Sequence, residues 1–185
     1  RNIAGSWPHE YGAPIDATDD EAKQATYAPA AGSPLWKAAT DGERAAVLAA
    51  FATNKRVTSL SLVNALLSDA LGAAHLGELL AANATLTCVN LESNHLSSAA
   101  IEALARGVSA NATLTELRLA NQGLAFSQAS ELALADAVHS NHTLLTVTID
   151  LRNTRARELI QNALSRNREE LRLRRRRASA APKSP

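Results

Sequence analysis

The 185-residue chain has one cysteine, no methionine and only 3% aromatic residues. A single cysteine excludes an internal disulfide framework. No apolar run approaches the ~18–20 residues that a membrane-spanning helix needs. No glycine-rich phosphate loop, dinucleotide fingerprint, nucleophile elbow or pair of catalytic carboxylates occurs. These gaps predict a non-enzymatic protein without a cofactor. His139 and His142 are three residues apart but have no third ligand in register, and His9, His75 and His95 are isolated, so no metal site is expected.

Other scarcities are local. Proline is absent from residues 41–181, while Pro8, Pro14, Pro29 and Pro34 precede that stretch. Both tryptophans and both tyrosines also precede residue 41: Trp7, Tyr11, Tyr27 and Trp36. Residues 1–40 have no sustained periodicity, and they are read as an extended arm with one weak helical turn near Asp19–Ala25. Bulky aromatics in such a segment suit anchoring to a partner. Charge is also divided. Residues 1–151 carry 8 basic and 15 acidic groups, a net of −7, and residues 152–185 carry 11 and 3, a net of +8.

What the chain has in abundance is leucine and alanine, 27 and 39 residues. Much of it falls into four tandem segments: 54–82, 83–110, 111–140 and 141–167. Each opens with Asn, and three continue Asn-x-Thr-Leu. Within them the pattern L-x-x-L-x-L-x-x-N-x-L recurs. It is complete in Leu86, Val89, Leu91, Asn94 and Leu96, and close in Leu114, Leu117, Leu119, Gln122 and Leu124. The first copy reads Val57, Leu60, Leu62, Ala65, Leu67; the fourth keeps Leu144, Val147 and Ile149, then has Arg152 at the Asn position. This is the leucine-rich-repeat signature.

The expected fold is therefore an α/β leucine-rich-repeat horseshoe. It is a right-handed β-α solenoid of about four repeats, with a short parallel sheet and an outer layer of helices. The L-x-L residues form short strands, and the second half of each repeat is helical, with Ile101, Leu104, Ala105 and Val108 on one face. The opening Asn is expected to end each helix in a left-handed conformation. Thr40-Asp41-Gly42-Glu43 reads as a capping box before a helix over about 41–53, with Val47, Leu48 and Phe51 covering the first repeat. Arg155–Leu164 closes the far end. Residues 169–177 extend that helix or form an edge strand, with helix preferred. The domain plan is an arm (1–40), a repeat domain (41–167) and a basic extension (168–185).

Repeats of ~28 residues with a full helix resemble the ribonuclease-inhibitor type. The stretches Leu86–Ser98, Asn111–Gln122, Asn141–Ile149 and Asn162–Arg177 most resemble the C-terminal domain of tropomodulins. That resemblance covers about residues 54–177. It implies contact with actin at the slow-growing filament end, made through the repeats and the closing helix. Nothing in residues 1–40 resembles the tropomyosin- and actin-binding half of that family.

The candidate sites are surfaces. Residues alternating with the inward leucines should line the concave face, among them Asn90, Glu92, Glu116, Arg118, Thr148 and Asp150. Cys88 belongs to the same face as an ordinary thiol, its pKa raised by Glu116 in the next strand. Arg172, Arg174, Arg175, Arg176 and Arg177 form a basic tail suited to an acidic protein, RNA or an anionic surface. The three Asn-x-Thr triplets match glycosylation acceptors but are read as repeat periodicity. The leading expectation is a protein–protein interaction module, an accessory subunit held in a larger assembly by its arm (Trp7, Tyr11, Tyr27, Trp36) and its basic end. The alternatives are tropomodulin-like actin capping and a peripheral ribonucleoprotein subunit. The expected location is intracellular, cytoplasmic or inside an organelle, since Arg1 could follow a removed targeting segment.

Overall fold

The computed structural model describes residues 25–27, 39–67 and 75–180. The capping box forms as the sequence predicts. The Thr40 hydroxyl accepts from the Glu43 N–H, and the Glu43 carboxylate accepts from the Thr40 N–H at 2.7 Å. It starts α1 (Asp41–Ala52), which buries Leu48 and Phe51 over the first repeat. Arg44 is buried with them, its guanidinium 3.5 Å from the Asp41 carboxylate and from the Leu66 carbonyl.

Each repeat contributes one strand and one helix: β2 (Val57–Ser61) and α2 (Gly77–Ala82), β3 (Cys88–Asn90) and α3 (Ser98–Ala110), β4 (Glu116–Arg118) and α4 (Gln128–Ser140), β5 (Thr146–Thr148) and α5 (Thr154–Ala180). The four strands pair in parallel and in sequence order. A short strand from the arm, β1 (Ala25–Tyr27), pairs parallel to β2 at the edge of the sheet. The helices pack side by side in the same order. Between the layers, Leu60, Leu62, Leu86, Val89, Leu91, Leu114, Leu117, Leu119 and Leu144 are at most 1% exposed. At roughly 1.5–3 kcal/mol per buried leucine, this stripe drives the stacking. α5 closes the stack with Ala156, Ile160, Ala163 and Leu164 and runs unbroken through residues 169–177, so the edge-strand alternative does not form.

Two expectations are corrected. Asn83, Asn111 and Asn141 are extended, with φ near −80° and ψ near 130°, and not left-handed. Left-handed residues fall instead where the chain leaves the strand: Asn64, Ser93 and Asn121, one position before Ala65, Asn94 and Gln122, with Leu66 and Gly123 beyond the first and third of these. The opening Asn is extended because its side chain bridges two repeats, as described below. Leu124, assigned to the core by the repeat pattern, is 60% exposed. The third repeat is 30 residues long, and its additional residues bring Phe126 into the interior instead, at 8% exposed.

Two glycines set how closely the helices approach. A Cβ on Gly107 would penetrate the Gly77 carbonyl, and one on Gly77 would penetrate that of Ala103. Backbone meets backbone there. Gly42, by contrast, faces open space apart from the Thr40 hydroxyl at 4.0 Å. Gly107→Ala should destabilise the protein by about 1–3 kcal/mol despite alanine's higher helix propensity. Gly42→Ala should leave stability unchanged or raise it, and urea unfolding of the two variants checks the opposite signs.

The capping carboxylate also makes stability depend on pH. Hydrogen bonds from the Thr40 backbone, then its side chain, hold the Glu43 pKa below its ordinary 4.5. A depressed carboxylate stabilises the fold above its unfolded pKa, and that contribution is lost as pH falls through the folded value. Glu43→Gln keeps the reach and removes the charge. Its Tm should lie below wild type at pH 7, with the gap closing below pH 4.5, as followed by circular dichroism.

Candidate functional site

The open face of the sheet is built by register. Ser59, Cys88, Glu116 and Thr146 form one row, and Ser61, Asn90, Arg118 and Thr148 form the next. The alternation of short strands places them opposite the buried leucines. Asn90, Glu92, Glu116, Arg118 and Thr148 are thus brought together as the sequence predicts.

Each charged group on this face has a hydrogen-bond partner, but the carboxylates outnumber the one guanidinium. The Glu116 carboxylate is paired with the Arg118 guanidinium. Glu92 accepts from the Asn90 amide and from the Thr148 hydroxyl, both at 3.4 Å, so its side chain reaches from the second repeat to the fourth. Asp150 instead accepts from the Asn121 N–H at 2.8 Å and holds the left-handed turn of the neighbouring repeat. The face is a polar surface of partly exposed groups linked by hydrogen bonds across repeats.

Cys88 sits between Ser59 and Glu116. Its pKa is raised above 9.0 chiefly by burial and further by the Glu116 charge, while a hydrogen bond with Ser59 and the Arg118 charge pull the other way. Glu116 was the cause expected from the strand pairing, but desolvation is the larger one. Iodoacetamide should therefore modify Cys88 more slowly than free cysteine at pH 8, with the rate still climbing above pH 9. Glu116→Gln should accelerate it only in part, because burial remains. Among the described residues no group of three or more His, Cys, Asp or Glu side chains could hold a metal ion. His142 lies 3.7 Å from Glu170 instead of joining His139 in a site.

The Asn-x-Thr triplets are structural. The Asn111 amide nitrogen donates to the Leu80 carbonyl at 2.7 Å and the Asn83 carbonyl at 3.0 Å, while its oxygen accepts from the Thr113 and Leu114 N–H groups. Asn83 and Asn141 repeat this pattern. The hydroxyls of Thr113 and Thr143 donate to the repeat before them, at the carbonyls of Leu86 and Leu114. A buried amide with both hydrogens committed is no glycosylation acceptor.

The second surface is the exposed half of α5. From Arg172 to Ser179 every side chain is exposed. Arg172 pairs with Glu169 at 2.9 Å and Arg174 lies 3.8 Å from Glu170. Arg175, Arg176 and Arg177 form no ion pair among the described residues. One wall of this helix, running Arg168, Leu171, Arg172, Arg175, Arg176, Ser179, makes a shallow cationic groove. The root of the helix is anchored by side chains that sequence reasoning did not single out. Arg166 donates to the carbonyls of His139 and Asn141, both at 2.9 Å, and Arg168 donates to that of Leu145 at 2.9 Å. Arg152, at the vacant Asn position, lends its backbone N–H to the buried Glu131 carboxylate, which also accepts from Asn153 at 2.6 Å. The arm residues Trp7, Tyr11 and Trp36 lie outside the described residues. Tyr27 is in β1.

Comparison with known proteins narrows the meaning of these surfaces. Residues 38–170 match the family model described as the TMOD/LMOD leucine-rich domain. Human leiomodin-3 is 32% identical over 119 residues, 64% of this chain and 21% of leiomodin-3. Tropomodulin of Caenorhabditis elegans is 31% identical over 130 residues, 70% of this chain and 33% of that protein. The chain thus spans a third or less of these relatives' lengths. Among solved structures, one described as leiomodin-1 actin-binding site 2 superimposes with a TM-score of 0.70 at 31% identity, covering 77% of this chain and 82% of that one. The tropomodulin C-terminal domain of C. elegans gives 0.70 at 29%, covering 76% and 84%.

Proposed function

The chain belongs to the TMOD/LMOD leucine-rich domain family, and from that membership we propose that it is a non-enzymatic interaction module that binds actin. The observation that carries the reading is the superposition on leiomodin-1 actin-binding site 2, which extends over most of both chains. The open sheet face and the Arg-rich half of α5 are the proposed contact surfaces. The first offers partly exposed polar groups from successive repeats. The second offers unpaired guanidinium groups, which recognise carboxylates with bidentate geometry.

The arm is the proposed second attachment, with Trp7, Tyr11, Tyr27 and Trp36 lying along another subunit of the same assembly. This makes the repeat domain an accessory component fixed at two points. An intracellular location follows from the actin reading. RNA as the tail's ligand is the competing outcome of the same experiment. Among the described residues no helix is long and apolar enough to cross a membrane.

Fluorescence anisotropy with labelled monomeric actin tests the proposal, alongside pyrene-actin elongation from barbed-end-capped seeds. We expect saturable binding in the micromolar range, altered pointed-end elongation, and a severalfold loss of affinity in the double variant Arg175→Glu, Arg176→Glu. Absence of binding at tens of micromolar actin, or tight salt-dependent binding to single-stranded RNA in place of actin, overturns it.

A further inference from the structure

We propose that Ser179 is a phosphorylation site for an arginine-directed protein kinase, and that its phosphate withdraws the tail arginines from acidic partners. The sequence before it is Arg176-Arg177-Ala178, with arginines three and two residues ahead of the hydroxyl. Kinases of this class hold those positions with carboxylates in their own substrate groove, a charge-assisted recognition that needs both guanidinium groups free. Neither Arg176 nor Arg177 has an acidic partner among the described residues. The Ser179 hydroxyl is exposed and makes one helical bond, to the Arg176 carbonyl at 2.9 Å.

A kinase must also unwind its substrate locally. Ser179 lies in the last turn of α5, which ends at Ala180. No side chain from Arg172 to Ser179 is buried against the body of the fold, so opening this turn costs little. The other hydroxyls that follow basic residues at this spacing lack the same accessibility or the same basic pair. Thr58 follows Lys55-Arg56-Val57 at the same spacing, but it lies within β2 and its hydroxyl is buried. Ser109 has an arginine three residues before it and Gly107 two before it, and it lies in α3, where Gly107 and Val108 are buried.

In the transfer, Ser179 Oγ attacks the γ-phosphorus of ATP. The new Oγ–P bond forms as the bond to the β,γ-bridging oxygen breaks, ADP leaves, and the hydroxyl proton passes to the kinase's catalytic carboxylate. The product places about two negative charges beside Arg175 and Arg176, one helical turn away, and in line with Arg172. The net charge of residues 152–185 falls from +8 to about +6, and the guanidinium groups of the groove turn toward the phosphate. The partner half of this inference rests on the actin reading above; the modification half does not.

The test incubates the full chain with an arginine-directed serine kinase and ATP, and maps the product by mass spectrometry. Phosphate on Ser179 is expected, lost in Ser179→Ala and formed severalfold more slowly in Arg176→Ala with Arg177→Ala. Phosphorylated and unmodified protein are then compared for binding to polyglutamate, a plain acidic probe, and to monomeric actin. We expect a severalfold weaker interaction with polyglutamate at low salt, with the difference shrinking as salt screens it. No phosphate at Ser179, or a phosphate that leaves polyglutamate binding unchanged, overturns the inference. A polyglutamate response without actin binding by either form supports it while removing the actin reading.

Discussion

The structure depends on one repeated side-chain bridge. Asn83, Asn111, Asn141 and Asn167 each send both amide hydrogens backward, to carbonyls at the end of an earlier helix or turn. The first three use their amide oxygen to fold the start of their own strand. A helix end leaves carbonyls without partners, and in the middle of a solenoid water cannot reach them. The Asn bridge satisfies them, and in doing so fixes the spacing between repeats. A second ladder runs along the opposite rim, where Asn94 and Gln122 each donate to one carbonyl of their own repeat and one of the repeat before it. Between these rails the leucines need only fill space, and the hydrophobic stripe is held in register by polar groups.

Much of this was legible in the sequence. The repeat period, the inward leucines, the strand rows and the capping box all follow from spacing, because solenoid contacts are contacts between equivalent positions. What escaped depends on local departures from the period. Leu124 occupied a core slot by pattern, yet the longer third repeat gives Phe126 the space. Glu131 stands in for the missing Asn of the fourth repeat, but it comes from α4, 21 residues before the N–H it receives. The role of the opening Asn is hidden for another reason. Asparagine tolerates a left-handed backbone, and only the structure shows that its side chain is needed elsewhere. Gly77 and Gly107 gave no periodic signal, since the contact they permit is between backbones.

The two proposed contact surfaces differ in their electrostatics. On the sheet face only Glu116 and Arg118 form an ion pair, Glu92 and Asp150 leave an excess of negative charge, and binding there must compete with the Glu116–Arg118 and Glu92–Thr148 contacts already made. On the outer half of α5 the opposite holds: the charges are of one sign, exposed and largely uncommitted. The first surface favours selectivity through shape and hydrogen bonding, and the second favours rapid encounter through long-range attraction. The placement of the concave residues on the open face and of the arginines on an exposed helix is legible in the sequence. The anchoring of the tail through Arg166 and Arg168 was not, because those bonds go to backbone carbonyls with no side-chain partner to suggest them.

Asn167 gives the stack its length. It sits inside a continuous helix, yet its amide takes the carbonyls of Asn141 and Leu144. The Asn141 carbonyl holds the place in the series that those of Asn54, Asn83 and Asn111 hold for the rungs before it, and the rung that closes on it belongs to the interior of a helix. Arg166 and Arg168 cover neighbouring acceptors on the same rim. At this end, therefore, the helix-side rim is sealed by side chains of α5, while β5 keeps an outer edge that no strand pairs among the described residues, so one layer of the solenoid is closed and the other is open.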